Sequence, residues 1–343
     1  TVRTLKTNPV ARVLMKICNL LLAAIILSSQ TALATATVNN NHLTSFRNES
    51  DLQKYLQKLK LHDEKRNKTN YAKEVGAVMP ASSPPSAVSD SSAEKSAGAN
   101  SESDAITNVQ TQGVDEGGIV KKLGDYLIVL RRGRLFSIKA SNNDLRTVST
   151  INAYGPGIAP QGAWYDEMLI SGRTIIVIGY SYARGGTEIG LFRIGENGQL
   201  SYRSTYHLRS NDYFSSRNYA SRLIGRQLIF YSPMEVNLYG DSADSLPAVR
   251  AWQAKPGAFK RILPATEIYQ TGLSSNAYDL TLHSVTTCDI TERSTLECRA
   301  KAVLGPSSRV FYVSADSVYI WIGGSGMYGQ ARKPNESTLL RMP

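Results

Sequence analysis

The chain has 343 residues, and 39 Lys and Arg against 28 Asp and Glu leave it at a formal charge of +11. Such an excess attracts anionic envelope polymers or membrane surfaces through long-range fields. The cations are scattered among the predicted strands and do not form one stripe, which speaks against nucleic acid as the partner.

The first predicted element is an export signal. Ile17 to Leu27 form an apolar segment preceded by Arg12 and Lys16 and followed by small residues ending Thr31-Ala32-Leu33-Ala34. That is the order of charged region, apolar region and A-x-A site found in secretory signal peptides. Cys18-Asn19 and Ser28-Ser29-Gln30 interrupt the apolar core, so it falls short of the roughly 20 residues that a spanning helix needs. We expect a signal peptide region at 1–34, cleaved after Ala34, with Met15 a candidate true start. The alternative is an uncleaved segment anchored in the cytoplasmic membrane, which would be the one route to membrane contact. Cleavage removes Arg3, Lys6, Arg12 and Lys16 and no acid, lowering the charge by four to +7. The expected location is secreted, periplasmic or cell-surface. The expected partner is a protein or an anionic envelope polymer there.

Residues 35–62 carry one predicted helix, over 48–60. Leu52, Tyr55, Leu56 and Leu59 fall at i, i+3, i+4 and i+7 and make an apolar stripe, with Asn48 or Ser50 as N-cap. It reads as a helix docked on the main domain. Over 63–105 Tyr71 is the only aromatic residue, and Ser, Ala, Pro, Lys and Glu accumulate. That composition buries too little apolar area to offset the entropy of ordering, so a flexible tether is expected.

From Thr107 onward short runs of Val, Ile, Leu, Tyr and Phe alternate with turn residues, a strand-and-turn texture. Four runs resemble one another: Tyr126–Leu130, Thr174–Ile178, Gln227–Tyr231 and Val318–Ile322. Each follows a tight turn and a shorter strand. Their spacings are 48, 53 and 91 residues. The first two match one four-stranded propeller blade, and the last fits two blades or one blade with a large insertion. The runs are apolar at consecutive positions, which requires cover on both faces of a sheet. Stacked blades supply that cover. A β-sandwich, the alternative all-β fold, buries one face and shows stronger alternation.

At the entrance to the repeats stands Thr107-Asn108-Val109-Gln110-Thr111-Gln112-Gly113-Val114-Asp115-Glu116-Gly117-Gly118-Ile119-Val120-Lys121, followed by Gly124-Asp125-Tyr126. This resembles the opening motif of bacterial and archaeal secreted proteins with a C-terminal β-propeller, a family distantly similar to WD40 repeats. Tyr219–Leu223, Val303-Leu304-Gly305 and Val310–Ser314 fit the same pattern. The resemblance implies a propeller over 107–343 and export, with no settled activity. The family pattern carries acids where this chain has Gly118 and Leu123, so part of any metal or capping network is lost. Family members are also longer, and Leu339–Pro343 reads as the start of another strand, so an incomplete propeller is expected.

No catalytic constellation is visible. His42, His62, His207 and His283 form none of the metal motifs, and Gly323-Gly324-Ser325-Gly326 is followed by Met327, not by the closing glycine of a nucleophile elbow. Asp115, Glu116, Asp241 and Asp244 could offer oxygens to calcium but lack EF-hand spacing. They read as turn residues, and Gly113, Val114, Asp115 and Glu116 as a structural motif whose carboxylates accept backbone N–H bonds. Lys121, Lys122, Arg131, Arg132 and Arg134 surround the first hairpin and read as its solvated tip, with an anionic-ligand site as the alternative. Tyr outnumbers Phe 18 to 7, which suits binding surfaces, and Tyr202, Tyr206, Tyr213 and Tyr219 are candidates, with strand packing an equal explanation. The leading reading is an exported non-enzymatic propeller that binds a protein, peptide or envelope polymer through its loops. The rival is a hydrolase or lyase with a site at the channel mouth.

Cys288 and Cys298 remain after cleavage and are expected to pair in an oxidising compartment. Leu282, Ser284, Thr286, Cys288 and Ile290 alternate with polar positions, as do Leu296, Cys298, Ala300, Ala302 and Leu304 on the return. The register that matches both faces sets Cys288 opposite Cys298 and Leu282 opposite Leu304 around the loop Glu292-Arg293-Ser294. It places His283 on the polar face.

Overall fold

The structure, a computed structural model, describes residues 43–74, 113–141, 144–182, 184, 186–210, 220–240, 246–252, 259–270, 280–291, 296–306, 310–322 and 338–343. The expected signal at 1–34, the tether at 75–105, His42, Tyr213, Tyr219, Asp241, Asp244, the loop 292–294 and Gly323–Gly326 lie outside these residues.

A short strand β1 (Thr44–Ser45) precedes helix α1 (Glu49–Glu74). Asn48 caps the helix, its Oδ1 accepting from the Asp51 N–H at 3.0 Å. The helix runs past the expected end at Lys60 and takes in the first part of the expected tether. Its extension carries Lys, Arg and Glu and meets no Gly or Pro before Gly76, so nothing local stops it. Leu52 and Leu56 are buried against Met234, Leu246, Leu263, Ile268 and Leu282, with Tyr55 and Leu59 packed beside them.

Strand β2 (Asp115–Glu116) opens the sheet region. The first blade is the antiparallel meander β3 (Val120–Leu123), β4 (Tyr126–Arg131), β5 (Arg134–Ser141) and β6 (Asp144–Asn152). The second is β7 (Ala163–Ser171), β8 (Thr174–Ser181), β9 (Gly186–Ile194) and β10 (Leu200–Leu208). The third begins with β11 (Ala220–Ile224) and β12 (Gln227–Glu235). An excursion through β13 (Ala248–Ala251), β14 (Lys260–Arg261) and β15 (Ile268–Gln270) follows, before β16 (Leu280–Asp289) and β17 (Glu297–Pro306) complete the blade. The fourth has β18 (Val310–Val313), β19 (Val318–Ile322) and β20 (Thr338–Met342). The four similar runs are thus β4, the start of β8, the start of β12, and β19, each the second strand of its blade. The 91-residue spacing comes from the excursion, not from an extra blade.

The excursion covers strand edges that would otherwise be open. β13 extends the second blade beyond β10, and β15 extends the third blade beyond β17, with β1 outside it.

Consecutive apolar residues are explained by blade stacking. Ile175 and Val177 face the first blade with Ile128, Leu130 and Leu135, while Ile176 and Ile178 face the third with Leu223, Leu228 and Phe230. A third layer, with Tyr231, Val303, Val318, Ile320 and Leu340, joins the third and fourth blades. Each fully buried side chain of this size contributes roughly 1.5–3 kcal/mol. A sandwich would leave one face of every sheet in water, whereas the second and third blades here are covered on both. The ring is open among the described residues: Val310, Trp321 and Leu339 form one cross-strand row on the fourth blade and are 61%, 50% and 57% exposed.

The disulfide has the expected register. Cys288 pairs with Cys298 and Leu282 with Leu304, and the cysteine Cα atoms lie 4.1 Å apart. The bridge is compatible with an extracellular location. His283 departs from expectation: it is fully buried, its Nε2 donating to the Pro306 carbonyl at 2.7 Å and its Nδ1 accepting from the Tyr231 hydroxyl at 3.0 Å. The supposedly polar face of β16 is covered by the fourth-blade layer, so polar residues there must find partners inside. Burial also pushes the Tyr231 hydroxyl pKa well up.

Candidate functional site

Antiparallel pairing sends the connections of each blade to two opposite ends. First-to-second and third-to-fourth connections share one end, second-to-third and blade-to-blade connections the other. The blades keep these ends aligned: the Tyr126 hydroxyl donates to the Glu196 carbonyl at 3.2 Å, and the Ser171 hydroxyl to the Gly225 carbonyl at 3.1 Å, joining turns of neighbouring blades. At this turn end the first hairpins of three blades close through Gly124, Gly172 and Gly225, all with positive φ. Its charges are of both signs, and two pairs form there, Arg226 with Asp289 and Arg341 with Asp316.

At the opposite, loop end lie the ends of β6 and β7, β8 and β9, β10 and β11, β12 and β16, and β19 and β20 that the remaining connections join, several of them long. Arg131, Arg132 and Arg134 stand exposed on its β4–β5 hairpin. Trp164 and Tyr182 are also exposed there, 58% and 43%.

A polar row crosses the second blade at this end. Tyr165, Gly179, Glu188, His207 and Arg250 are successive cross-strand partners on β7, β8, β9, β10 and β13. Gly179 is required, because a Cβ there would meet the Trp164 carbonyl oxygen and the Tyr165 ring. The Tyr165 hydroxyl donates to Glu188 Oε2 at 2.6 Å, and Arg184 Nε to Glu188 Oε1 at 2.6 Å. Arg250 Nε donates to His207 Nδ1 at 3.2 Å, so the ring is neutral with its proton on Nε2, which faces Glu188 Oε1 at 3.4 Å. Glu188 and His207 are each 1% exposed. Burial alone would raise the Glu188 carboxyl, but His207, Tyr165 and Arg184 more than reverse this and hold it below the ordinary carboxylate range. Burial first, then Glu188, push the Tyr165 hydroxyl far up. Around the row Arg184 lies over the Trp252 ring at 5.0 Å, and Arg209 and Arg250 over Phe259 at 4.8 and 4.4 Å.

The opening motif sits elsewhere, at the first strands. β2 pairs with β11, Gly118 bridges Met168 on β7, and Asp115 binds Lys121 on β3 at 2.6 Å. Val114 packs into the layer of the third and fourth blades. The motif therefore ties four blades together. Gly117 permits this, since a Cβ would press on the Glu167 side chain at 2.9 Å.

The sequence expectations for the motif need two corrections. The carboxylates bind cationic side chains and not chiefly backbone N–H groups: Glu116 faces Arg222 at 3.4 Å, and Lys121 bridges Asp115 and the Glu116 carbonyl at 2.6 Å each. Lys121 is 1% exposed and leaves the hairpin-tip cluster, while Lys122, Arg131, Arg132 and Arg134 stay exposed. Burial pushes the Asp115 carboxyl up against the pull of Lys121. Calcium at Asp115 would compete with an ammonium already in place, and no group of three His, Cys, Asp or Glu suited to a metal occurs among the described residues. Of the tyrosines, Tyr206 is core and Tyr202 packs on Phe192 with ring centroids 5.7 Å apart, so strand packing explains both.

The family model for the beta-propeller domain matches residues 105–342. The chain belongs to this family. No curated protein and no solved structure matches it. In this propeller the Glu188 site was missed from sequence because its members come from five strands; the available signal was a lone acid directly before the apolar run Ile189-Gly190-Leu191-Phe192. No helix among the described residues is long and apolar enough to cross a membrane.

Proposed function

We propose that this is an exported binding propeller whose loop end receives an anionic polymer of the cell envelope. The observation that carries the reading is the asymmetry of the two ends: one carries the longest connections, exposed aromatics and the exposed Arg131, Arg132 and Arg134, and the other mostly short turns. Loops on a rigid scaffold are where binding residues concentrate. Long-range attraction by the basic chain adds to the encounter.

The geometry favours binding over the hydrolase or lyase reading. Glu188 and His207 are each 1% exposed and hydrogen-bonded within the blade, so neither is presented to a substrate in solvent. The test is retention of the full mature chain on immobilised polygalacturonate and polyphosphate. Retention that weakens steeply between about 50 and 300 mM salt is expected, because exposed charges are screened over that range. Passage through both columns at the lower salt would remove the reading. Export is tested by N-terminal sequencing of the extracytoplasmic protein, expected to start at Thr35; an intact Met15 terminus in washed membranes would contradict it.

A further inference from the structure

We propose that the outer corner of the second blade, at Arg250, binds an oxyanion group of the polymer, a carboxylate or a phosphate. The inference rests on the polyanion reading above and names the residues that would carry it.

Three guanidinium groups gather here from separate elements: Arg184 before β9, Arg209 after β10, and Arg250 in β13. Each lies over an aromatic ring, Arg184 on Trp252 and the other two on Phe259. Stacking uses the face of a guanidinium and leaves its in-plane N–H edge available for hydrogen bonds. Arg184 has spent that edge, on Glu188 Oε1 and on the Ala159 carbonyl at 3.3 Å. Arg250 has spent only Nε, on His207. No carboxylate among the described residues pairs with its two terminal nitrogens, which form the half of the fork that matches an oxyanion.

The charges add to the argument. Burial first, and then the nearby Arg184 and Arg209, lower the Arg250 pKa, so the guanidinium groups feel one another. Glu188 is held by Tyr165 and Arg184. An external anion before Arg250 would offset the repulsion it feels from the neighbouring guanidinium groups. His207 is placed to aim the fork: it is buried, neutral and fixed by cross-strand pairing with Arg250.

Calorimetric titration of the full mature chain with inorganic phosphate and, separately, with a galacturonate oligomer tests this at low salt. Binding of at least one probe is expected, and the preferred probe separates the phosphate from the carboxylate source. Arg250→Gln should weaken it about tenfold or more, as loss of a charged hydrogen-bond pair does. Arg250→Lys, which keeps the charge and loses the fork, should fall between. Arg209→Gln reports on the same site should the Arg250 variant not fold. The triple hairpin variant Arg131→Gln, Arg132→Gln, Arg134→Gln should weaken polymer retention. Equal binding by Arg250→Gln, Arg209→Gln and wild type would overturn the site, and if the hairpin variant alone loses polymer retention the loop-end reading survives without it. No polymer retention by wild type would overturn both. Tighter binding of polyglutamate than of either probe would assign the corner to an acidic protein segment and overturn the polymer assignment.

Discussion

Lys121 is a lysine with almost no contact with water, so its charge has to be met inside the protein, and Asp115 and the Glu116 carbonyl meet it. Removing one partner of a buried pair leaves an uncompensated charge, which costs about 3–5 kcal/mol. Lys121→Met should lower thermal stability strongly, and Asp115→Asn combined with it should recover part of the loss; chemical denaturation of both variants checks this. At Glu188 the folded pKa lies below the unfolded one, so the unfolded chain takes up the proton first on acidification. The stability due to Glu188 is therefore full above the ordinary glutamate range and lost as pH falls through its folded value. Glu188→Gln should show a flatter decline on the acid side than wild type in pH-dependent denaturation, and parallel curves would refute the assigned network. Sequence placed Asp115 in a structural motif but could not tell Lys121 from Lys122, because which of two adjacent lysines points inward depends on pairing with a strand of another blade.

At the scale of elements, the disulfide hairpin was legible because two alternating strands, a short loop and two cysteines all demanded one register. Denatured, unreduced protein from an oxidising compartment should show no free thiol, and Cys288→Ser with Cys298→Ser should cost about 2–3 kcal/mol for so short a loop. The helix stripe was legible for the same reason of periodicity, but its length was not, since charged helix formers look alike in a helix and a tether. Leu52 and Leu56 bind α1 to the excursion and to β16, so Leu52→Ala should cost about 2–5 kcal/mol, seen as earlier unfolding and faster proteolysis near residue 48. The excursion itself was undetermined between an insertion and an extra blade. Its strands are only two to four residues long and pair with edges of two different blades, a context that no local pattern encodes.

For the whole molecule, stacked blades account for the doubly buried runs, and the aligned ends account for where long loops collect. Repeat spacing carried the first of these facts, because each blade repeats one strand order. The polar row is invisible at that scale in the sequence: Tyr165, Glu188, His207 and Arg250 become neighbours only when five strands are side by side. The most direct measurement of the one-ended account is hydrogen exchange of the full mature chain with and without polygalacturonate or polyphosphate, read peptide by peptide. The account predicts added protection at residues 131–134, 153–162, 182–186 and 248–261, with the turns at 123–126, 171–174 and 224–227 unchanged. Protection centred on those turns, or spread equally over both ends, would contradict it.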